Sequence, residues 1–257
     1  MCLILFAYKA HPDYPLIVAA NRDEFYNRPT APAAFWEDYP FILAGRDLEK
    51  MGTWMGVTKT GRFAAITNYR DPLDVRDDVK SRGELVSDYL SSDIAPEQYL
   101  CKVKEHHRDY NRFNLLVGDT TSLFYYSTLE NIVSEIEPGI HGLSNHVLDT
   151  SWPKVSIGKE RLAHLLKEKG RLDTKPLFDI LSDEKRAPDT DLPNTGVGIE
   201  WERMLSPLFI RSGGYGTRSS TVVLFNNKNR ILFEERFYQP DSLVQEQSVY
   251  EFDATYA

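Results

Sequence analysis

Cysteine is scarce in this chain: Cys2 and Cys101 are the only two in 257 residues. That excludes a disulfide framework and a thiolate zinc site. Six histidines occur, but none falls into a metal-ligand spacing, and the adjacent His106 and His107 point apart on a helix. Positive charge is in deficit. Lys and Arg number 30 against 38 Asp and Glu, a formal net charge of −8, which argues against a general affinity for nucleic acid or anionic membranes. No apolar run approaches the ~20 residues of a membrane-spanning helix. The N-terminal apolar stretch, residues 2–8, lacks the basic segment of a signal peptide and stops at Lys9. A cytoplasmic location is the expectation. Repeats, low-complexity segments and linker-like stretches are missing too, so residues 1–257 read as a single domain.

What is present is ordinary globular material, 42% hydrophobic and 26% charged, enough to bury a sizeable core. Residues 2–8 are apolar at odd and even positions alike, which predicts a strand covered on both faces. Residues 15–20 (PLIVAA) read as the returning antiparallel strand, running into Asn21-Arg22-Asp23-Glu24. Short strands are expected at 41–44, 53–58 and 62–67, with Lys59-Thr60-Gly61 as a hairpin turn. Helical spacing follows at 82–91 and 96–103. Strands return at 113–117, 123–127, 132–136 and 140–143. A helix is expected from a Ser151 cap through Trp152-Pro153 to Lys167, stopped by Gly170, and another at 174–181. Residues 183–198 read as a loop, and the chain is expected to end in two strands, 219–225 and 231–238. The hairpins favour antiparallel pairing, and the two-faced apolar strands favour stacked sheets between helix layers. The expected fold class is α+β, an αββα sandwich of two antiparallel sheets between helix layers.

Cys2 follows the initiator directly. A methionine aminopeptidase is expected to remove Met1 before so small a residue, leaving a thiol and a free α-amine on Cys2. An α-amine titrates near ~7.7–8.0, so the pair would be a self-contained nucleophile and general base. The plain alternative is a small buried hydrophobe opening a strand. Other polar residues sit at strand ends: Arg22, Asp23 and Glu24, then Asn68, Asn145 and Arg218. Singly, each has an ordinary explanation in turns and solvated strand ends. Together with Cys2 they supply what amide cleavage needs: an arginine to depress a thiol pKa, a carboxylate to orient an amine, and asparagine amides to meet an oxyanion.

Several multi-residue motifs then carry a resemblance. LIVAANRDEFYNRP (16–29), GTWMGV (52–57), AAITNYRDP (64–72), RGELV (82–86), GLSN (142–145) and GYGTRSSTV (214–222), with Cys2, resemble the NRDE family, also called the transport and Golgi organisation protein 2 family. That family is remotely similar to N-terminal nucleophile hydrolases of the choloylglycine hydrolase and penicillin V acylase type. The resemblance implies Cys2 as nucleophile, Arg22 beside it, Asn68 and Asn145 on the oxyanion side and Arg218 closing the site. The acid departs from the hydrolase pattern, because Asp23 follows Arg22 immediately; Asp23 is the choice and Glu24 stays open. The implied activity is hydrolysis of a linear amide C–N bond with no metal or organic cofactor, on a small amide or acylated substrate with an apolar part held in an apolar pocket. The rival is a non-catalytic binder or carrier on the same fold, since family members are linked to acyl-CoA or lipid homeostasis, haem trafficking and Golgi or secretory organisation. Oligomeric state is not specified by the sequence.

Overall fold

In the computed structural model, residues 2–119, 121–167, 170–240 and 244–255 are described. Strand β1 (Cys2–Tyr8) is buried at all seven positions. It is an interior strand, paired antiparallel with β2 (Leu16–Phe25) on one side and β10 (Gly139–Leu143) on the other. Beyond β2 lie β11 (Tyr215–Phe225), β12 (Arg230–Tyr238) and β13 (Val244–Asp253), completing a six-stranded sheet. The second sheet has seven strands in sequence order: β3 (Thr30–Phe35), β4 (Ile42–Asp47), β5 (Met55–Thr58), β6 (Phe63–Asn68), β7 (Phe113–Gly118), β8 (Leu123–Ser127) and β9 (Ile132–Glu135). Every pairing is antiparallel.

The period-two alternation of β1 separates two cores. Ile4, Phe6 and Tyr8 join Val18, Leu43, Leu116 and Phe233 in the layer between the sheets. Leu3, Leu5 and Ala7 face the helices α3 (Pro153–Leu165) and α4 (Thr174–Leu181) with Val155, Leu162 and Phe178. On the far side, α1 (Arg82–Ser91) and α2 (Pro96–Glu105) set Leu85, Tyr89 and Leu100 against Ile66, Leu115 and Val117. The layers run helix, sheet, sheet, helix, and the expected αββα sandwich is the fold found. Among the described residues no helix is long and apolar enough to cross a membrane.

Several expectations need correction. The chain does not end in two strands: β13 follows, with exposed Gln and Glu along it, a polarity that hides an edge strand from any hydrophobic pattern. Strand β3 was equally unreadable, because it carries Pro32, and an edge strand tolerates proline. The short helix α5 (Ile199–Leu205) follows the expected loop. The α3 N-cap is Trp152, not Ser151, with no side-chain capping bond; Pro153 at the first helical position lacks an N–H to cap. Most important, β2 does not stop at Ala20. It continues to Phe25, since β1 and β11 hydrogen-bond across it and place Arg22 opposite Cys2 and Asp23 opposite Thr217. Asn21 to Glu24 are therefore strand residues, not a strand end.

Candidate active site

A cleft of about 400 Å³ opens at one end of the stacked sheets. Cys2 stands at its floor where β1 begins, 8% exposed. By strand alternation its side chain shares the inter-sheet face with Ile4. Burial pushes the thiol above its ordinary value; the Asp23 charge adds to this, while the Arg22 charge and a hydrogen bond from the Asp23 backbone oppose it. Ser144 Oγ donates to the Cys2 carbonyl at 3.0 Å and anchors the strand end.

Arg22 lies on the same face of the sheet and reaches across to the other sheet. Its Nη1 donates to Thr30 Oγ1 at 3.2 Å, and Nη2 stands 3.9 Å from Asp47. Asp23, one position on, points to the opposite, helix-covered face and is fully buried. Its Oδ1 accepts from Thr217 Oγ1 at 2.7 Å, and its carbonyl accepts from Tyr215. Burial raises the Asp23 carboxyl, with Lys154 foremost among the groups that hold it down. Glu24 is only half-buried, lines the cleft, and accepts its own neighbour Phe25 N–H. Of the two acids, Asp23 is the one whose charge falls on the thiol.

Asn68 ends β6 and lines the cleft. Asn145 stands behind it, fully buried. Its Nδ2 donates to the Asn68 carbonyl at 2.9 Å, and its Oδ1 accepts from Ser144. Arg218 sits in a bulge between Thr217 and Ser219, inside β11 rather than opening it. Its Nη1 donates to the carbonyls of Phe25, Tyr26 and Arg28 and so fastens the turn after β2. Cys2, Arg22, Asp23, Glu24 and Asn68 thus border one cleft. Neither Asn145 nor Arg218 is among the described residues that line it.

The expected apolar pocket is not what surrounds Cys2. Arg22, Arg28, Arg46, Lys50, Arg76, Lys80 and Arg82 border the cleft, against Asp23, Glu24, Asp47, Asp77 and Glu235; Trp54, Ile66 and Phe237 supply apolar wall. Burial pulls the Arg82 guanidinium down to about 10, opposed by Glu24 and Cys2. Among the described residues no three His, Cys, Asp or Glu side chains gather to hold a metal ion.

Sequence reasoning missed a buried charged group behind the floor. Arg70 pairs with Glu202 at 2.6 Å, both side chains 4% exposed, and Lys154 is 2% exposed nearby. One signal was readable: Lys154 stands on the same helical stripe as the buried Gly158 and Leu162, a position where lysine is out of place.

Comparisons with known proteins agree with the fold. The family described as Transport and Golgi organisation 2 matches residues 1–240. A transport and Golgi organization 2 homolog of Mus musculus is 34% identical over 275 residues, covering 98% of this chain and 99% of that protein. The Homo sapiens homolog is 34% identical over 274 residues with the same coverage. Among solved structures, a mutant conjugated bile acid hydrolase from Clostridium perfringens superposes with a TM-score of 0.50 at 12% identity, covering 100% of this chain and 98% of that one. At that identity the likeness is one of fold.

Proposed function

This chain belongs to the transport and Golgi organisation 2 family, and from that membership and the cleft around Cys2 we propose an N-terminal-cysteine hydrolase that cleaves a linear amide C–N bond once Met1 is removed. One observation carries the proposal: Cys2, at the start of an interior strand, lines a charged cleft and feels the charge of Asp23 on the neighbouring strand. Met1 itself lies outside the described residues. A thiol held up by burial is protonated at neutral pH and needs a base. In this reading the α-amine that removal of Met1 exposes on Cys2 serves as that base, and Asp23 orients it.

In this reading Sγ attacks the amide carbonyl carbon while the α-amine takes the thiol proton. The amine then passes that proton to the leaving nitrogen as the C–N bond breaks, leaving a thioester on Cys2. Water attacks the thioester, and its proton returns through the amine to the thiol. Asn68, which lines the cleft, takes the oxyanion-donor role in this reading, a contact worth ~10²–10³ in turnover; Asn145 acts by fixing the Asn68 backbone. Arg22 offers positive charge to the thiolate.

A carrier reading draws on one feature: of the two expected oxyanion asparagines, only Asn68 lines the cleft, while Asn145 is bound to its neighbour's carbonyl. The test uses Met1-free protein with N-acyl amino acids, acylated lactones and penicillin V. Cys2→Ser and Cys2→Ala are expected to abolish cleavage with the fold intact by circular dichroism. Should wild type cleave none of these, while acyl-CoA or haem binds wild type and Cys2→Ala equally, the carrier reading replaces the hydrolase.

A further inference from the structure

A chain of polar side chains crosses from one sheet to the other beside the cleft floor. Its hub is Asn114 on β7, fully buried and turned to the inter-sheet face with Leu116. Asn114 Nδ2 donates to Thr67 Oγ1 at 3.2 Å and to the His146 carbonyl at 2.9 Å. Its Oδ1 accepts from the Tyr125 hydroxyl on β8 at 2.9 Å, and that hydroxyl accepts from Leu148 N–H at 3.0 Å. Thr67 Oγ1 donates onward to the Ser144 carbonyl at 2.6 Å, and Ser144 Oγ donates to the Cys2 carbonyl on the facing sheet. Backbone groups at the ends fix the direction of every bond. A carbonyl only accepts, so Thr67 gives its proton to Ser144 and Asn114 must supply the amide donor. A buried network satisfied throughout holds a single geometry, where apolar packing would allow several. Each arm ends beside a residue of the candidate site: Thr67 precedes Asn68, Ser144 and His146 flank Asn145, and the last bond falls on Cys2.

We propose that Asn114 is a positioning residue for the Cys2 site: its amide holds the strand end that carries Asn68 and the loop that carries Asn145 in one register against Cys2. The proposal rests on the hydrolase reading of that site. Asn114→Asp keeps the shape of the side chain but can donate at most one bond, and only when protonated. Thr67 or His146 then loses its donor, and the two segments are no longer tied through one group. The Arg70 N–H reports on that tie. It donates to the Asn145 carbonyl at 2.8 Å, so it spans the same two segments without being one of the bonds that the substitution removes.

Amide hydrogen exchange of the full chain, followed by NMR, reads the tie without a substrate. Asn114→Asp is expected to speed exchange of the Arg70 N–H about tenfold, while amides of β11 and β12 keep their wild-type rates. Tyr125→Phe removes the hydroxyl that orients the Asn114 oxygen and is expected to act in the same direction. Tyr126→Phe deletes a hydroxyl bonded to Asn131 at 3.0 Å, on the opposite, helix-covered face of the same strand, and is expected to leave Arg70 unchanged. On whichever N-acyl amino acid, acylated lactone or penicillin V the Met1-free wild type cleaves, Asn114→Asp is expected to lower kcat about tenfold with KM unchanged. An unchanged Arg70 rate overturns the proposal, and so does an unchanged kcat. Acceleration spread equally through β11 and β12 overturns it too, because that marks a general loss of stability. Should Asn114→Asp not fold, Tyr125→Phe is read in its place. Faster Arg70 exchange with no cleavage by wild type retires the hydrolase and keeps the tie; cleavage by wild type with an unaltered variant retires only Asn114.

Discussion

At the scale of single residues, the loop that carries Asn145 toward α3 is tied by one carboxylate. Asp149 accepts from His141 Nδ1 at 2.7 Å, Lys159 Nζ at 2.5 Å and Gly142 N–H at 2.9 Å. Burial opposes ionisation there, but those three donors outweigh it and hold the Asp149 carboxyl at about 2. The same bond to Asp149 raises His141 above its ordinary value. For a depressed carboxyl, stability is present above its unfolded value near ~3.9 and is lost as pH falls toward 2. For a raised histidine, it is present below ~6.5 and lost as pH rises through the folded value. The interaction is shared and counts once. Asp149→Asn is the suitable variant, since Asp149 has φ of 59° and asparagine tolerates that region. It is expected to cost about 1–2 kcal/mol, discounted for partial exposure. The gap from wild type should be widest between pH ~4 and ~6.5. Urea melts at pH 5 and pH 8 check this: equal gaps at the two would show that His141 adds nothing.

At the scale of elements, α1 is brought to the cleft by a close approach of two backbones. A Cβ on Gly52 would lie 2.6 Å from the Gly83 carbonyl carbon and 2.7 Å from its oxygen. The motifs GTWMGV and RGELV meet there, and the contact seats Ser81, Arg82 and Gly83 on the cleft wall. Backbone cannot move aside as a side-chain tip can, so Gly52→Ala is expected to cost more than about 2 kcal/mol. Displacing α1 also withdraws Arg82. Gly213→Ala, with nothing within 4 Å of its added Cβ, should stay within about 0.5 kcal/mol. Thermal melts of the two variants decide it, and similar melting temperatures would show that the helix relaxes without loss.

At the scale of the whole molecule, charge is distributed against its average. The chain carries −8, yet basic side chains outnumber acidic ones around the cleft. Arg28 and Arg46 are engaged by Asp47 and Asp38, while Lys50, Arg76 and Arg82 form no ion pair among the described residues. A recess lined in this way concentrates positive potential. A substrate amide bearing a carboxylate is therefore expected to show about tenfold higher kcat/KM than its neutral amide counterpart. The advantage should shrink with salt, as the screening length falls from about 10 Å at 0.1 M to about 3 Å at 1 M. Equal values for the two substrates, or a ratio insensitive to salt, would rule out charge selection in the cleft.

Local pattern by itself determined much of this protein. Unbroken apolarity from Cys2 to Tyr8 required an interior strand between two cores, and α1, α4 and β8 begin and end where spacing placed them. The sandwich follows from such strands, because each must be covered on both faces. Tertiary structure alone decided where the polar residues went. Asn21 to Glu24 became strand because β11 pairs with β2 from some 190 residues away, as in the Tyr215–Asp23 bond with a separation of 192. Arg218 was drawn to the β2 turn, Asn145 to a neighbouring carbonyl, and Arg70 to a glutamate 132 positions on. Apolar burial needs only the right periodicity, which adjacent residues supply. A buried charge needs a particular partner in a particular direction, and chain folding, rather than sequence spacing, brings that partner within reach.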